Sequence, residues 1–262
     1  MNILDRIVKD KKHEVAAKKE GMPLSFLKQS PLFERTCFSM SISIVEGSGI
    51  IAEFKRRSPS KQVINHKDSV IEVVKAYEKA GAAAISVLTD TKYFGGSLDD
   101  LIQARQHLNI PLLRKEFIID SYQIYEAKAF GADAILLIAA ILDPKELESF
   151  SVLAHKLGLE VLLEVHNEDE LKASNLDHID MLGVNNRNLK TFEVSLDTSK
   201  ELAPMIVEGK VKISESGISN IDAIHSLKEY GYKGFLIGEN FMKTEEPGAA
   251  AVQFINSLGD ED

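Results

Sequence analysis

Eight short apolar runs, each followed by a stretch in which apolar residues recur at helical spacing, constrain this chain more than any other feature. The runs are "GIIAEF", "AAISVLTD", "IPLLRKEF", "ADAILLIA", "LEVLLEV", "MLGVNN", "KVKISES" and "KGFLIG". The helical stretches include "SVIEVVKAYEKAG", "DSYQIYEAKAFG" and "DPKELESFSVLAHKLG". Near-continuous apolar strands separated by helices indicate a parallel sheet covered on its outer side. Eight such units indicate an α/β fold closed into a (β/α)8 TIM barrel. Three joints, "KAGAAAISVL", "AFGADAILLI" and "EYGYKGFLIG", repeat one device: a glycine just past a helix, where left-handed backbone is wanted, then a new strand. The competing architecture is a doubly wound open sheet. It calls for a glycine-rich turn after the first strand, where this chain has "RRSPSK".

A length of 262 residues suits one barrel. Residues 1–48 are expected to form an N-terminal helical extension packed on the barrel, and residues 49–262 the catalytic barrel. Ile3, Leu4, Ile7 and Val8 predict an amphipathic helix over the first twenty residues, ended by Gly21 and Pro23. Residues 24 to 49 read as a short helix followed by loop. The basic residues before Gly21 are interleaved with Asp5, Asp10, Glu14 and Glu20, so they read as a solvated helix face.

A net charge of −9 argues against a general role on nucleic acid or anionic membrane. Any bound anion must then be held locally, and the basic run after Lys55 is one candidate place. The N-terminus lacks the apolar core of a signal peptide, and no segment is apolar enough for long enough to span a bilayer. The expectation is a cytoplasmic protein. The single cysteine, Cys37, rules out an internal disulfide and reads as a small half-buried hydrophobe.

In this fold the active site lies at the C-terminal ends of the strands. Side chains on a strand alternate faces, so parity can be read. Ile51, Glu53 and Lys55 share one face of the first strand, and Leu113, Lys115 and Phe117 one face of the third. Leu162, Glu164 and His166 share a face of the fifth, and Asn185 and Arg187 of the sixth. Parity alone does not tell inward from outward. If these faces point inward, two lysines, two glutamates, an arginine and an asparagine converge at the barrel mouth. One such pair on one strand would read as a structural ion pair. The same device at the same end of four strands points to an active site. His166 reads as a rim histidine. Phe94 and Phe117 fit either the core or an aromatic ligand. Arg114 has the other parity and reads as a contact to the helix layer, while Asp90 suits a loop cap as well as catalysis. No histidine or cysteine stands at metal-ligand spacing, so no metal is expected.

The last two strands end in "SESGIS" and "IGENF". Ser216, Gly217 and Gly238 would let backbone N–H groups approach a phosphate, at the loops where this fold usually binds one. Lys55 and the serine-rich loop after the first strand could close that site from the other side.

The segments "IAEFKRRSPSK", "YFGGSLDDL", "LLRKEFIIDSYQIYEAKAFGADAILLIAAIL", "LEVLLEVHNEDEL", "GVNNRNLKTFEVSLDTS" and "ISESGI" are similar, in order, to successive signatures of the indole-3-glycerol-phosphate synthase family. The resemblance runs from about residue 48 to the C-terminus, and the N-terminal helix fits that family's extension. It implies a ribulose-phosphate-binding barrel and a carboxy-lyase of tryptophan biosynthesis without a cofactor. The substrate would be 1-(2-carboxyphenylamino)-1-deoxyribulose 5-phosphate. Ring closure, decarboxylation and dehydration would yield indole-3-glycerol phosphate.

By resemblance, Lys115 is the acid for condensation and Glu164 the acid/base. Lys55 matches a lysine that binds substrate and acts in dehydration, and Glu53 and Asn185 match residues that position these groups. Arg187 matches an arginine beside them, Ser58 a substrate-contacting serine, and Ser216, Gly217 and Gly238 the phosphate site. Phe117 is counted with the substrate-binding residues. The partner expected is a small phosphorylated molecule, not nucleic acid or membrane. A monomer is expected, with other tryptophan-pathway enzymes as candidate partners. Gln62, Glu116, Ser121 and Asn240 depart from the family's usual residues without removing a proposed catalytic group.

Two other readings compete. One is another sugar-phosphate barrel. This could be a Schiff-base aldolase using Lys115 or Lys55, or phosphoribosylanthranilate isomerase, whose expected cysteine is missing because Cys37 precedes the barrel. The other is a barrel that binds a phosphorylated ligand without turnover.

Overall fold

A computed structural model describes residues 3–188 and 191–259. Eight parallel strands close in sequence order into a barrel. They are β1 Ile50–Phe54, β2 Ala84–Leu88, β3 Leu112–Lys115, β4 Ala134–Ile138, β5 Glu160–Val165, β6 Met181–Asn185, β7 Val211–Glu215 and β8 Gly234–Ile237. Every one falls inside an apolar run read from the sequence. Gly81, Gly131 and Gly231 all have left-handed backbone, with φ of 92°, 88° and 83°, as the repeated joint requires.

Two separate apolar layers settle which strand face is which. Ile51, Ala84, Leu113, Ala134, Leu136, Leu162, Met181, Ile213 and Leu236 form one buried cluster inside the barrel. Ala52, Phe54, Ile85, Val87, Val161, Leu163, Val165 and Val184 belong to the other, beneath the helices. The face that carries Glu53, Lys115, Glu164 and Asn185 is therefore the inner one.

Three helices precede β1: α1 Ile3–Gly21, α2 Leu24–Leu27 and α3 Met40–Glu46. The sequence reading gave loop where α3 lies. Met40 and Ile44 from α3 join the inner cluster and stop the N-terminal end of the barrel. The start of α3 is tied to β5 by Glu160, whose carboxylate accepts from the backbone N–H groups of Met40 and Ser41 at 2.7 and 2.8 Å. It also accepts from the hydroxyls of Ser39 and Ser41. Among the described residues no helix is long and apolar enough to cross a membrane.

Helix α1 lies at the opposite end. The solvated-face reading of its basic residues fails at Lys11, which is 2% exposed. Its Nζ meets Asp90 Oδ2 at 2.8 Å, Glu116 Oε1 at 3.0 Å and Glu14 Oε2 at 2.8 Å. Burial would lower the Lys11 ammonium, but Glu116 and Asp90 outweigh it and the group stays charged. An amphipathic pattern marks apolar faces only, so it misses a helix that docks on a charged rim.

Lys11→Met would leave three carboxylates around an apolar side chain. It is expected to cost about 3 kcal/mol or more at neutral pH. Denaturant unfolding would measure this. An unchanged midpoint would show that α1 is held by other contacts.

Candidate active site

The inward parity brings the charged side chains to one place. A cavity of about 450 Å³ opens at the C-terminal ends of the strands. Glu53, Lys55, Ser58, Lys115, Phe117, Glu164, Asn185, Arg187, Ser216, Gly217 and Gly238 all line it. Every residue singled out from the sequence as a catalytic or binding candidate therefore borders the same space. Leu189 and Lys190 of the "GVNNRNLKTFEV" segment lie outside the described residues.

At the centre is a lysine between two glutamates. Lys115 Nζ lies 3.0 Å from Glu164 Oε2 and is in close contact with Glu215 Oε2. Burial opposes the Lys115 charge, yet Glu215, Glu164 and Glu53 outweigh it and raise the group above its ordinary value. Burial would likewise raise Glu164, but Lys115 and His166 hold it well below the usual carboxylate range. Glu215 goes the other way. Burial, with Glu164 and Glu53 nearby, outweighs Lys115 and pushes its carboxyl up to about 7. Two carboxylates sharing one ammonium are thus driven apart, one held ionised and the other close to exchanging a proton at neutral pH.

Glu215 was not among the residues singled out. Its signal was present, because Ile213 and Glu215 share the parity that exposed the other strands, but "SESGIS" was read only as a phosphate turn. Gly183 was also missed. It lies on the inner face of β6, beside Glu164 and Ile213 in register. A Cβ there would run into the Glu215 carboxylate and come within 3.1 Å of Leu162. Gly183→Ala is expected to swing Glu215 off Lys115 and lower kcat about 10- to 100-fold with the fold intact. Steady-state kinetics would show it; wild-type kcat would mean that Glu215 needs no fixed position.

A second pair stands beside the first. Lys55 Nζ contacts Glu53 Oε1 at 2.9 Å, and Ser86 Oγ donates to Glu53 Oε2 at 3.2 Å. Gly238 packs against this pair, since a Cβ on it would sit 2.6 Å from Glu53 Oε1 and 3.1 Å from Lys55 Cε. The basic run after Lys55 is mostly spent on holding its own loop. Arg56 grips Asp100 with two contacts of 2.6 and 2.8 Å, and Arg57 donates to the Thr91 carbonyl. Lys61 reaches Glu239 at 3.2 Å, across the mouth. Asp90 accepts from the Tyr93 N–H as a helix cap and pairs with Lys11. Arg114 is buried in the helix layer against Glu126 at 2.5 Å.

Around the β7 and β8 ends, Ser216 and Gly217 both have left-handed backbone, with φ of 69° and 79°. A Cβ on Gly217 would lie 2.6 Å from Val194 Cγ1, so only glycine fits. Lys243 and Asn240 line the same end, and Asn240 donates to the Ser219 carbonyl. The other end is apolar. Phe94 and Phe117 pack at 5.9 Å between centroids, and both face the cavity with Leu88, Leu136 and Ile138. Ile3, Leu4 and Ile7 of α1 close that space. Arg187 donates to the Phe192 carbonyl, and its N–H to Asn185 Oδ1 at 3.0 Å. His166 is half-buried, with its side chain turned in from the rim: its Nε2 stands 3.2 Å from Glu164 Oε1.

The arrangement offers an acid, a base and a group that exchanges protons near neutrality, between an apolar slot and a polar turn with lysines. It suits proton transfer on a molecule with an aromatic end and an anionic end.

The family model described as indole-3-glycerol phosphate synthase matches residues 4–254. Indole-3-glycerol phosphate synthase of Bacteroides thetaiotaomicron is 45% identical over 258 residues, which cover 98% of this chain and 99% of the relative. The protein of that name from Laribacter hongkongensis is 43% identical over 255 residues, covering 95% and 97%. Among solved structures, a tryptophan synthase a2b2 complex from Pyrococcus furiosus includes a chain similar to this one at a TM-score of 0.60 and 18% identity. The match covers 81% of this chain and 98% of that one, and at that identity it shows the barrel fold alone.

Proposed function

The chain belongs to the indole-3-glycerol phosphate synthase family, decarboxylating lyases of tryptophan biosynthesis, and from that premise we propose how its barrel mouth carries out the reaction. The substrate is 1-(2-carboxyphenylamino)-1-deoxyribulose 5-phosphate. Its phosphate sits at Ser216, Gly217 and Gly238, within reach of Lys55 and Lys243. Its aromatic ring lies along Phe94 and Phe117. What supports this placement is the polarity of the cavity, apolar at one end and polar with lysines at the other.

Ring closure joins the ring carbon that bears the carboxylate to the ketone carbon. Lys115 gives a proton to the ketone oxygen as the bond forms. Loss of carbon dioxide then restores the aromatic ring. In dehydration an acid protonates the departing hydroxyl and a base takes a proton from the neighbouring carbon. Glu164 is the base, being held ionised, and Lys55 is the acid. Glu53 and Asn185 position these groups, and Arg187 and Ser58 contact the substrate. Glu215 returns the proton to Lys115, a role suited to a carboxyl near pH 7. From the carboxylate substrate, the whole sequence takes up one proton and releases carbon dioxide and water.

The observation that carries this reading is the lysine between two carboxylates at the centre of the cavity. The test is to supply the substrate to the purified protein and follow indole-3-glycerol phosphate by fluorescence. A borohydride-trapped adduct on Lys115 or Lys55 would favour the Schiff-base alternative. Ser216→Asp tests the phosphate end, because aspartate tolerates left-handed backbone but repels phosphate. A repulsion of about 1 to 4 kcal/mol would raise KM at least about fivefold. An unchanged KM would move the phosphate elsewhere.

The division into an extension of residues 1–48 and a barrel of residues 49–262 belongs to the same proposal. Residues 1, 2, 189, 190 and 260–262 of it lie outside the described residues. A cytoplasmic location and a monomeric state belong to the same proposal.

A further inference from the structure

His166 follows β5 on the same face as Glu164, and its side chain is 7% exposed. It sits between two carboxylates. Nε2 is 3.2 Å from Glu164 Oε1, an ionic contact rather than an aligned hydrogen bond. Nδ1 is 3.1 Å from Glu170 Oε2. Glu170 is itself fixed from three sides. It accepts from the His166 backbone N–H at 2.8 Å and from Asn167 Nδ2 at 2.7 Å, and its own N–H donates to Asn167 Oδ1 at 2.9 Å. Asn167 is the cap of the helix Glu168–Ala173, so the imidazole is anchored to a helix start. Glu164 is thus gripped at both oxygens, Oε2 by Lys115 and Oε1 by His166.

We infer that His166 is a positioning residue for Glu164, a second cation that fixes the carboxylate from the side opposite Lys115 and keeps it in its proton-accepting form. This rests on the role proposed above for Glu164. The groups around the imidazole agree with it. Glu164 on its own segment and Glu170 on the following helix are its direct contacts. Asp5, Lys9 and Lys12 of α1, and Arg187 and Glu193 of the loop after β6, line the neighbouring cavity together with it. Burial works against the imidazolium, but the two carboxylates outweigh it and raise the group to about 10. The ring therefore stays charged across the neutral range, and its cation reinforces the ionised form of Glu164.

Without it, burial would raise the Glu164 carboxyl, and the base would be lost first at low pH. In His166→Asn, the acidic limb of kcat set by Glu164 is expected to move up by about one pH unit, so that on its falling side kcat lies about tenfold below the wild type's at the same pH, while the loss at pH 8.5 is small. KM should stay within about twofold. Glu170→Gln should show the same sign with a smaller amplitude, and it serves if the first variant does not fold. A merely structural histidine would lower kcat by the same factor at every pH and leave the acidic limb where it is in the wild type, and that result would overturn the inference.

Imidazole NMR signals of the unliganded wild type provide a readout that needs no turnover. The ring should remain protonated above pH 8, and Glu164→Gln should lower its titration by about one unit or more. A ring that titrates near 6.5, or ignores Glu164→Gln, would overturn the inference whatever the enzyme's substrate. A wild type with no turnover and a ring that titrates as expected would contradict only the proposed function.

Discussion

Lys115→Met is expected to lower kcat about 100- to 10,000-fold, the range that a positioned acid contributes. KM should change much less, because the proposed phosphate turn and the aromatic slot do not depend on Lys115. The variant also makes a stability prediction with a definite sign. Lys115 is raised in the folded state, so its contribution is complete below the ordinary lysine value and present at neutral pH. Glu164 is lowered, so its contribution is present above its ordinary value near 4.5 and is lost as pH falls through its folded value. Removing the ammonium lets Glu215 take up a proton and strands Glu164 as a buried carboxylate at pH 7, at a cost of about 3 kcal/mol. Nearer pH 5 Glu164 takes up a proton as well, and the deficit against wild type should shrink. Urea melts at the two pH values would show it. A deficit that does not depend on pH would mean that Lys115 contributes packing rather than charge.

Glu164→Gln is the second large effect. Glutamine keeps an oxygen for Lys115 to donate to, so the fold should hold, while kcat falls about 100- to 10,000-fold through loss of the base. The substitution should also show itself at a distance. Glu215 is raised partly by the charge of Glu164, so removing that charge lets its carboxyl fall from about 7. The basic limb of whatever activity remains should move to lower pH, because Glu215 must be protonated to return the proton to Lys115. Unfolding of the variant would favour a structural ion pair over a catalytic one. A residual profile with the wild-type limb would show that the two carboxylates do not share a proton.

The barrel was legible because its strands are buried on both sides. Strands such as "AAISVLTD" and "ADAILLIA" have no solvent face to interrupt the apolar run, and glycine marks the joints. The strand residues of the candidate site were legible for a related reason. Ile51 and Leu162 are core, so Glu53 and Glu164 two residues later lie on the same face, and charge there is unexpected. Which face was inner could not be read, since Ala52 and Val161 are as apolar as Ile51 and Leu162. It took the two separate clusters to decide.

The misses have causes of the same kind. Lys11 docks a helix by charge, which an apolar stripe does not reveal. Helix α3 is seven residues long, too short for periodicity to register. Gly183 matters for the carboxylate that fills its missing side chain, and that carboxylate comes from another strand. His166 was assigned to the rim because the chain turns from strand to helix at this point, and the sequence does not show that Glu164, two residues before, and Glu170, four residues after, close on either side of the ring.

The central claim is that the carboxylate-flanked Lys115 is where the indole ring is closed. The most direct measurement is the fluorescence assay with the carboxyphenylamino-deoxyribulose phosphate, run in parallel on wild type and Lys115→Met. The account predicts indole-3-glycerol phosphate from the wild type and almost none from the folded variant, with substrate still bound. Comparable product from both would place the chemistry elsewhere in the barrel and contradict it.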